Sequence, residues 1–213
     1  TEKMRIVAEG QQVVRVDWDS SCLIGENYNH VLKQISNKIK EVHAVIISDY
    51  DKGLCTELIL NSLIPKAKEL QLPILVDPKG DKWEKYSGAT IITPNIKEAE
   101  NALGRRLNND YDIEIAGKEI CNNFNIDACL ITRGANGMSY ISEKINYHVN
   151  SEAKEIFDVS GAGDTVIASF ASGVVAGFGP EAVTRFANKA AGIVVGHIGT
   201  TAITISEFKE YDK

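Results

Sequence analysis

Short apolar runs alternate with amphipathic segments along most of the chain. Each of four runs is long enough for a buried β-strand and leads into polar residues: 44–47, 73–79, 90–95 and 127–134. Between them, stretches such as 29–42 repeat apolar residues at helical spacing. In another such stretch, 54–70, Pro65 predicts a kink or a break. The recurring order of strand, polar loop and helix predicts a three-layer α/β fold, with helices on both faces of a mostly parallel sheet.

Period-two alternation indicates two further pairs of strands. One pair lies at residues 5–19 and the other at 137–149. We expect the first pair to form a small β hairpin beside the sheet. Later in the chain, residues 165–176 and 181–197 have helical patterns, and Thr204 is placed to cap a last short helix.

Residues 155–168 combine a predicted strand, a turn of small residues and the start of a helix. Helix N-termini present unpaired N–H groups, and Gly161, Ala162 and Gly163 leave that backbone accessible to a phosphate. Asp164 is unexpected in a simple phosphate loop, because its charge repels the ligand. It fits a general base that takes the proton from an attacking hydroxyl while the N–H groups stabilise the developing charge. The alternative is a tight turn with a helix-capping acid.

Other phosphate-loop patterns fit this stretch poorly. No Gly-Lys-Ser/Thr tripeptide is present, which excludes a Walker loop. In the G-x-G-x-x-G pattern of dinucleotide sites, the third glycine would stand where this chain has Val166. A nicotinamide-dependent dehydrogenase is therefore disfavoured.

Polar residues follow the ends of several predicted strands, where open α/β sheets bind ligands. Asp49 and Lys79 stand at two of these ends. Asn95 and Glu98 are three residues apart at a helix start, where they are placed to hydrogen-bond a metal-bound water or a phosphate. The alternatives are a solvated loop around Asp49 and a simple helix cap at Asn95.

Composition narrows the class of protein. The chain has 213 residues, a net charge of −6 and a pI near 5.3, which favour one globular domain and disfavour a nucleic-acid partner. Four cysteines without a C-x-x-C pair indicate neither a zinc site nor a disulfide framework. No apolar run is long enough to span a bilayer, so we expect no membrane partner and a cytoplasmic location.

Residues 158–164 read Asp-Val-Ser-Gly-Ala-Gly-Asp, which resembles the signature of the ribokinase-like (pfkB-type) carbohydrate kinases. Asn95 and Glu98 are similar to the N-x-x-E element of that family, and residues 132–134 to its strand-end loop. Within the family, the chain is most similar to the heptose 7-phosphate kinases of ADP-heptose biosynthesis. That similarity rests on Ser48-Asp49-Tyr50, Val76-Asp77-Pro78-Lys79-Gly80 and the tail at 186–200.

The resemblance implies a kinase that uses ATP with Mg²⁺ to phosphorylate the anomeric hydroxyl of D-glycero-D-manno-heptose 7-phosphate. It implies that Asp164 is the catalytic base, that residues 161–163 form the anion hole, and that Glu98 and Asp158 organise the metal. The implied nucleotide contacts are Asn95, Thr132, Arg133, Gly134, Asn188, Ala191 and Gly192. The candidate contacts for the sugar phosphate are Arg15, Asp17, Asp49 and Lys79.

One departure from the family concerns an upstream Gly-Gly element that helps to bind the sugar, because no Gly-Gly occurs in this sequence. We therefore expect residues 1–213 to be the carboxy-terminal portion of a ribokinase-like kinase domain, with lid strands near 5–19. A nucleotidyltransferase domain is the expected fusion partner, and the strands near Val14 and Val16 are candidates for pairing in a homodimer. The alternatives are a nucleotide-binding module without catalysis and a kinase for another sugar, such as ribose or fructose.

Overall fold

A computed structural model describes residues 2–8, 11–18 and 27–211. The strands of this part of the chain are β1 (Glu2–Ala8), β2 (Gln11–Trp18), β3 (Val45–Ser48), β4 (Ile74–Asp77), β5 (Ile91–Ile92), β6 (Ala128–Thr132), β7 (Met138–Ser142) and β8 (Asn146–Val149). The α-helices are α1 (Tyr28–Lys38), α2 (Glu57–Glu69), α3 (Ile96–Leu103), α4 (Asp110–Phe124), α5 (Ala162–Val175), α6 (Pro180–Val194) and α7 (Ile205–Glu210). Among the helices of these described residues, none is both long and apolar enough to cross a membrane.

Six strands form the main sheet, in the order β3-β4-β5-β6-β7-β8. The strands β3 to β6 are parallel to one another, and β7 and β8 continue the sheet as an antiparallel hairpin. The strands β1 and β2 form a separate antiparallel pair. The predicted α/β class, the mostly parallel sheet and both hairpins are therefore confirmed.

Helices cover both faces of the main sheet. Successive residues of a strand point to opposite sides, so each central strand contributes side chains to two cores. In β4, Ile74 and Val76 are fully buried on the side of α2 and α4, whereas Leu75 is fully buried on the side of α5 and α6. Burying one such side chain contributes about 1.5–3 kcal/mol to stability. The two cores hold the parallel strands in a middle layer, so the carboxyl ends of β3 to β6 lie along one edge of the sheet.

The strand predicted before residue 158 is wrong. Residues 151–160 form no strand, and the side chains of Ile156, Phe157 and Val159 are exposed. Phe157 and Asp158 instead donate their backbone N–H groups to the carbonyl of Val195, directly after α6. An apolar run fits a strand by composition, but it becomes one only where a neighbouring strand is available to pair with it.

Of the kink or break predicted at Pro65, the break does not occur, since α2 continues through this residue. Pro65 and Asn61, four residues earlier, both lie on the exposed side of the helix. Water can therefore hydrogen-bond to the Asn61 carbonyl, which Pro65 leaves without its usual N–H donor.

Candidate active site

Acidic side chains meet where the carboxyl ends of β3 and β4 approach the start of α5. Asp49 follows β3, Asp77 ends β4, and Asp164 lies in the first turn of α5. Burial, and then the charges of Glu98 and Asp164, raise the pKa of Asp77 to about 6, and the ammonium of Lys79 opposes this shift. This edge of the sheet therefore carries a concentration of negative charge that a cation would offset.

The predicted anion turn begins α5. Gly161 is the N-cap residue of this helix and has a φ of +82°, a left-handed conformation that glycine adopts at little cost. The carboxylate of Asp158 accepts hydrogen bonds from the N–H groups of Ser160 at 2.9 Å and Gly199 at 3.2 Å, one on each oxygen. Asp164 is exposed. The helix N-terminus therefore combines N–H groups that lack helical partners with an exposed carboxylate, within one turn. Of the three predicted donors, Ala162 also donates its N–H to the Val159 carbonyl at 3.2 Å.

Gly161→Ala should lower the free energy of unfolding by about 1–3 kcal/mol, as measured by denaturant titration. Alanine is strained at this φ, and its Cβ would lie 2.8 Å from Thr200 Cγ2. Gly177→Ala is the matched control, because Gly177 has a φ of +80° but nothing within 4 Å of an added Cβ. Equal losses for the two variants would show that Thr200 moves aside freely and that the turn is not tightly packed.

Asp49 is 5% exposed, and protein groups occupy both oxygens of its carboxylate. Oδ2 accepts hydrogen bonds from the Lys85 ammonium at 2.6 Å and the Tyr86 hydroxyl at 2.7 Å, and Oδ1 accepts from the Asp51 N–H at 2.8 Å. Burial is the main reason why the pKa of Tyr86 is raised, so this phenol stays protonated and donates. Asp49 therefore anchors the loop after β3, and its predicted contact with the sugar stays a prediction.

Asn95 and Glu98 form a capping box at the start of α3. Asn95 Oδ1 accepts from the Glu98 N–H, and Glu98 Oε2 accepts from the Asn95 N–H, each at 3.0 Å. The other oxygen of Glu98, Oε1, accepts from the ammonium of Lys79 at 3.1 Å. The helix-cap interpretation is confirmed by this geometry, and a role of Glu98 toward a metal stays a prediction.

A cavity of about 400 Å³ lies between the start of α5, the end of β6 and α6. Eight of the predicted site residues line it: Asn95, Thr132, Gly134, Ala162, Gly163, Asn188, Ala191 and Gly192. Its apolar wall includes Ile156, Val159 and Val195, which the sequence does not indicate as site residues. Ile156 and Val159 belong to the apolar run that the sequence indicates as a strand, and Val195 directly follows α6. Such a wall suits a flat apolar group, for example a nucleotide base.

Arg133 and Asn188 are buried, and both side chains contact other parts of the protein. Asn188 Nδ2 donates to the Asn150 carbonyl at 2.8 Å and so fixes the segment after β8 against α6. Arg133 Nη1 forms an ion pair with Asp110 at 2.5 Å, at the start of α4, and Arg133 is not among the residues lining the cavity. The loop at 132–134 therefore reaches the cavity through its other two residues.

Two predicted residues lie on β2, and three further residues at the site could not be recognised from the sequence. Arg15 and Asp17 belong to β2, but their side chains lie outside the described residues. Tyr50 and Asp77 stand within the motifs at 48–50 and 76–80, but the sequence alone indicates no role for either. Lys85 has no recognisable pattern around it, and only the folded chain shows that it pairs with a buried acid.

The site fits a metal ion that arrives with a nucleotide better than a resident ion. Within residues 2–8, 11–18 and 27–211, no three acidic, histidine or cysteine side chains are grouped to hold a metal. Both oxygens of Glu98 and both of Asp158 accept hydrogen bonds from protein groups. Mg²⁺ commonly keeps several waters and binds through substrate phosphates with one or two carboxylates, so a dedicated protein cage is not required.

Comparison with known proteins identifies the family. Over residues 4–207, the sequence matches the family described as "pfkB family carbohydrate kinase". The chain belongs to this family. Bifunctional protein HldE of Wolinella succinogenes is 40% identical over 212 residues, which are 99% of this chain and 44% of that protein. The Vibrio vulnificus protein of the same name is 37% identical over 209 residues, 98% of this chain and 43% of that protein. The chain thus spans less than half the length of these relatives.

Solved structures of sugar kinases have the same fold. Phosphofructokinase-2 from Escherichia coli, in complex with substrates and products, has a TM-score of 0.81 and 18% identity, covering 99% of this chain and 69% of that one. Ribokinase of Arabidopsis thaliana, complexed with ribose and ATP, has a TM-score of 0.70 and 22% identity, covering 79% of this chain and 54% of that one. The expected ribokinase-like fold of this pfkB-family chain is confirmed.

Proposed function

We propose that the chain is the kinase part of a longer enzyme and transfers the γ-phosphate of ATP to the anomeric hydroxyl of D-glycero-D-manno-heptose 7-phosphate. The observation that carries this proposal is the exposed carboxylate of Asp164, in the first turn of α5 and beside the cavity lined by Ala162 and Gly163. A carboxylate at that point weakens a site that only holds phosphate. The same carboxylate is useful in a site that must also accept a proton from an attacking hydroxyl.

In the proposed reaction, the cavity holds ATP with its phosphates at the N-terminus of α5. The anomeric hydroxyl of the sugar attacks the γ-phosphorus, and the bond from that phosphorus to the oxygen shared with the β-phosphate breaks. Asp164 accepts the proton of the attacking hydroxyl, while the N–H groups of residues 161–163 stabilise the charge on the transferred group. The products are ADP and the heptose 1,7-bisphosphate.

The other predicted residues have supporting roles in this proposal. Mg²⁺ bound to ATP would supply positive charge between the phosphates and the carboxylates of this edge. Asn95, Glu98 and Asp158 are the proposed partners of its waters. For the sugar phosphate we propose Lys79, which the Glu98 carboxylate holds at the same edge of the sheet. The other proposed contacts are Arg15, Asp17 and Asp49.

The substrate and the full length of the protein are proposed from similarity. The motifs at 48–53 and 76–80 resemble those of heptose 7-phosphate kinases, and the relatives at about 40% identity are named bifunctional protein HldE. Because this chain covers 44% of such a relative, we propose that a nucleotidyltransferase domain completes the protein. We place the reaction in the cytoplasm, where ATP is available as phosphate donor.

ADP release by the full-length protein should depend on heptose 7-phosphate. With Mg-ATP present, we expect kcat/KM for this sugar to exceed that for ribose or fructose 6-phosphate by at least about 100-fold, because groups placed to bind one substrate stay unpaired with another. Unphosphorylated heptose is the matched control, since it lacks only the charged group. Equal use of ribose would indicate a kinase for another sugar. Nucleotide binding without sugar-dependent ADP release would indicate a binding module.

A further inference from the structure

Tyr50 connects the loop after β3 to the start of α5. Its hydroxyl donates a hydrogen bond to Asp164 Oδ1 at 3.2 Å, between residues that are 114 positions apart in the chain. The side chain of Tyr50 is 56% exposed, so packing alone does not fix its ring. The position of this hydroxyl must therefore come from the loop that carries it.

The loop around Tyr50 is held by one buried carboxylate. Asp49, directly before Tyr50, has its Oδ2 bound to Lys85 and Tyr86, and its Oδ1 accepts from the N–H of Asp51, directly after Tyr50. Asp51 has a φ of +54°, a left-handed conformation that such a local hydrogen bond supports. The hydrogen bonds of the Asp49 carboxylate thus fix both chain neighbours of Tyr50, and the side chain of Tyr50 is directed toward α5.

We propose that Tyr50 is a positioning residue for phosphate transfer. By donating to Oδ1, it fixes the rotation of the Asp164 carboxylate and leaves Oδ2 to accept the proton of the attacking hydroxyl. An exposed carboxylate on the first turn of a helix otherwise samples several rotamers, and a base that is misaligned by about 1 Å loses rate steeply. When Oδ2 gains the proton, Oδ1 remains an acceptor, so the hydrogen bond persists through the transfer. This inference rests on the proposed function, in which Asp164 is the base.

Tyr50→Phe in the full-length protein removes only the hydroxyl. We expect kcat to fall about 10- to 100-fold, the usual worth of a hydrogen bond to a charged group, with KM for ATP and for the sugar phosphate unchanged. The matched control is Tyr28→Phe, which deletes a hydroxyl that donates to the Leu58 carbonyl at 3.1 Å, between α1 and α2. This control should keep the kcat of the unmodified protein, and both variants should unfold at similar temperatures.

A double-mutant cycle with Asp164→Asn distinguishes positioning from general loss of structure. If Tyr50 acts through Asp164, Tyr50→Phe should lower kcat no further in a protein that already carries Asp164→Asn. An additional 10-fold loss there would overturn the inference, and so would a raised KM for the sugar with kcat unchanged, which would make Tyr50 a substrate contact. An inactive Asp164→Asn variant beside a fully active Tyr50→Phe variant would overturn the positioning role alone. Full activity of Asp164→Asn would remove the proposed base and this inference with it.

Discussion

Asp164→Asn is expected to lower kcat by about 10²- to 10⁴-fold, the usual contribution of a general base, while the affinity for ATP stays within a few-fold. Asparagine preserves the shape of the side chain but has no carboxylate to accept the proton. The affinity for ATP does not depend on that carboxylate, because in this proposal the helix N–H groups and the cavity bind the nucleotide. Single-turnover measurements of ADP formation, with nucleotide binding followed by calorimetry, give the two quantities separately.

A matched control tests the alternative in which Asp164 is only a helix-capping acid. Glu181 lies in the first turn of α6, as Asp164 does in α5, and it pairs with Arg185 on the helix surface. Glu181→Gln should change stability by at most about 1 kcal/mol and leave kcat unchanged. If Asp164→Asn behaves in the same way, the acid serves the helix and not the reaction.

Asp49→Ala is expected to lower the free energy of unfolding by about 3–5 kcal/mol, because it leaves the largely buried ammonium of Lys85 without its partner. The side chains of Lys85 and Asp49 are only 13% and 3% exposed, so water cannot replace the lost carboxylate easily. The Tyr86 hydroxyl and the Asp51 N–H lose their acceptor as well. Denaturant titration followed by circular dichroism measures this loss.

Two further variants define the cause of that loss. Glu69→Ala breaks the exposed pair between Lys66 and Glu69, whose side chains are 46% and 66% exposed, and should cost less than about 1 kcal/mol. Adding Lys85→Met to Asp49→Ala should recover part of the stability, because an apolar replacement of both partners removes the unpaired charge. A loss at Asp49 no larger than that at Glu69 would mean that water reaches the buried pair.

Features that depend on neighbouring residues were predictable from the sequence. The apolar runs of β4 and β6 are buried on both faces, so their composition alone indicated parallel strands. The caps at Asn95 and Thr204 were predictable for the same reason, since a capping box uses residues only three positions apart. Small residues followed by an acid likewise revealed the start of α5.

Contacts between distant parts of the chain were not predictable. Asp49 and Lys85 are 36 residues apart, and Tyr50 and Asp164 are 114 apart, so no local pattern couples them. The run before residue 158 was misread for a related reason, because its apolar side chains look like those of a strand. Whether they enter a sheet or line a cavity depends on which strands are already paired, and this is decided by the fold as a whole.

The topology also implies an order in which the chain can become competent. The sheet grows from β3 to β8 in sequence order, and α5 then returns to pack against β3 and β4. Closing so long a segment costs conformational entropy before any contact rewards it. During synthesis, the parallel strands can assemble before α5 and α6 have been made. The growing chain therefore has the strands β3 to β8 well before it has Asp164, the proposed base.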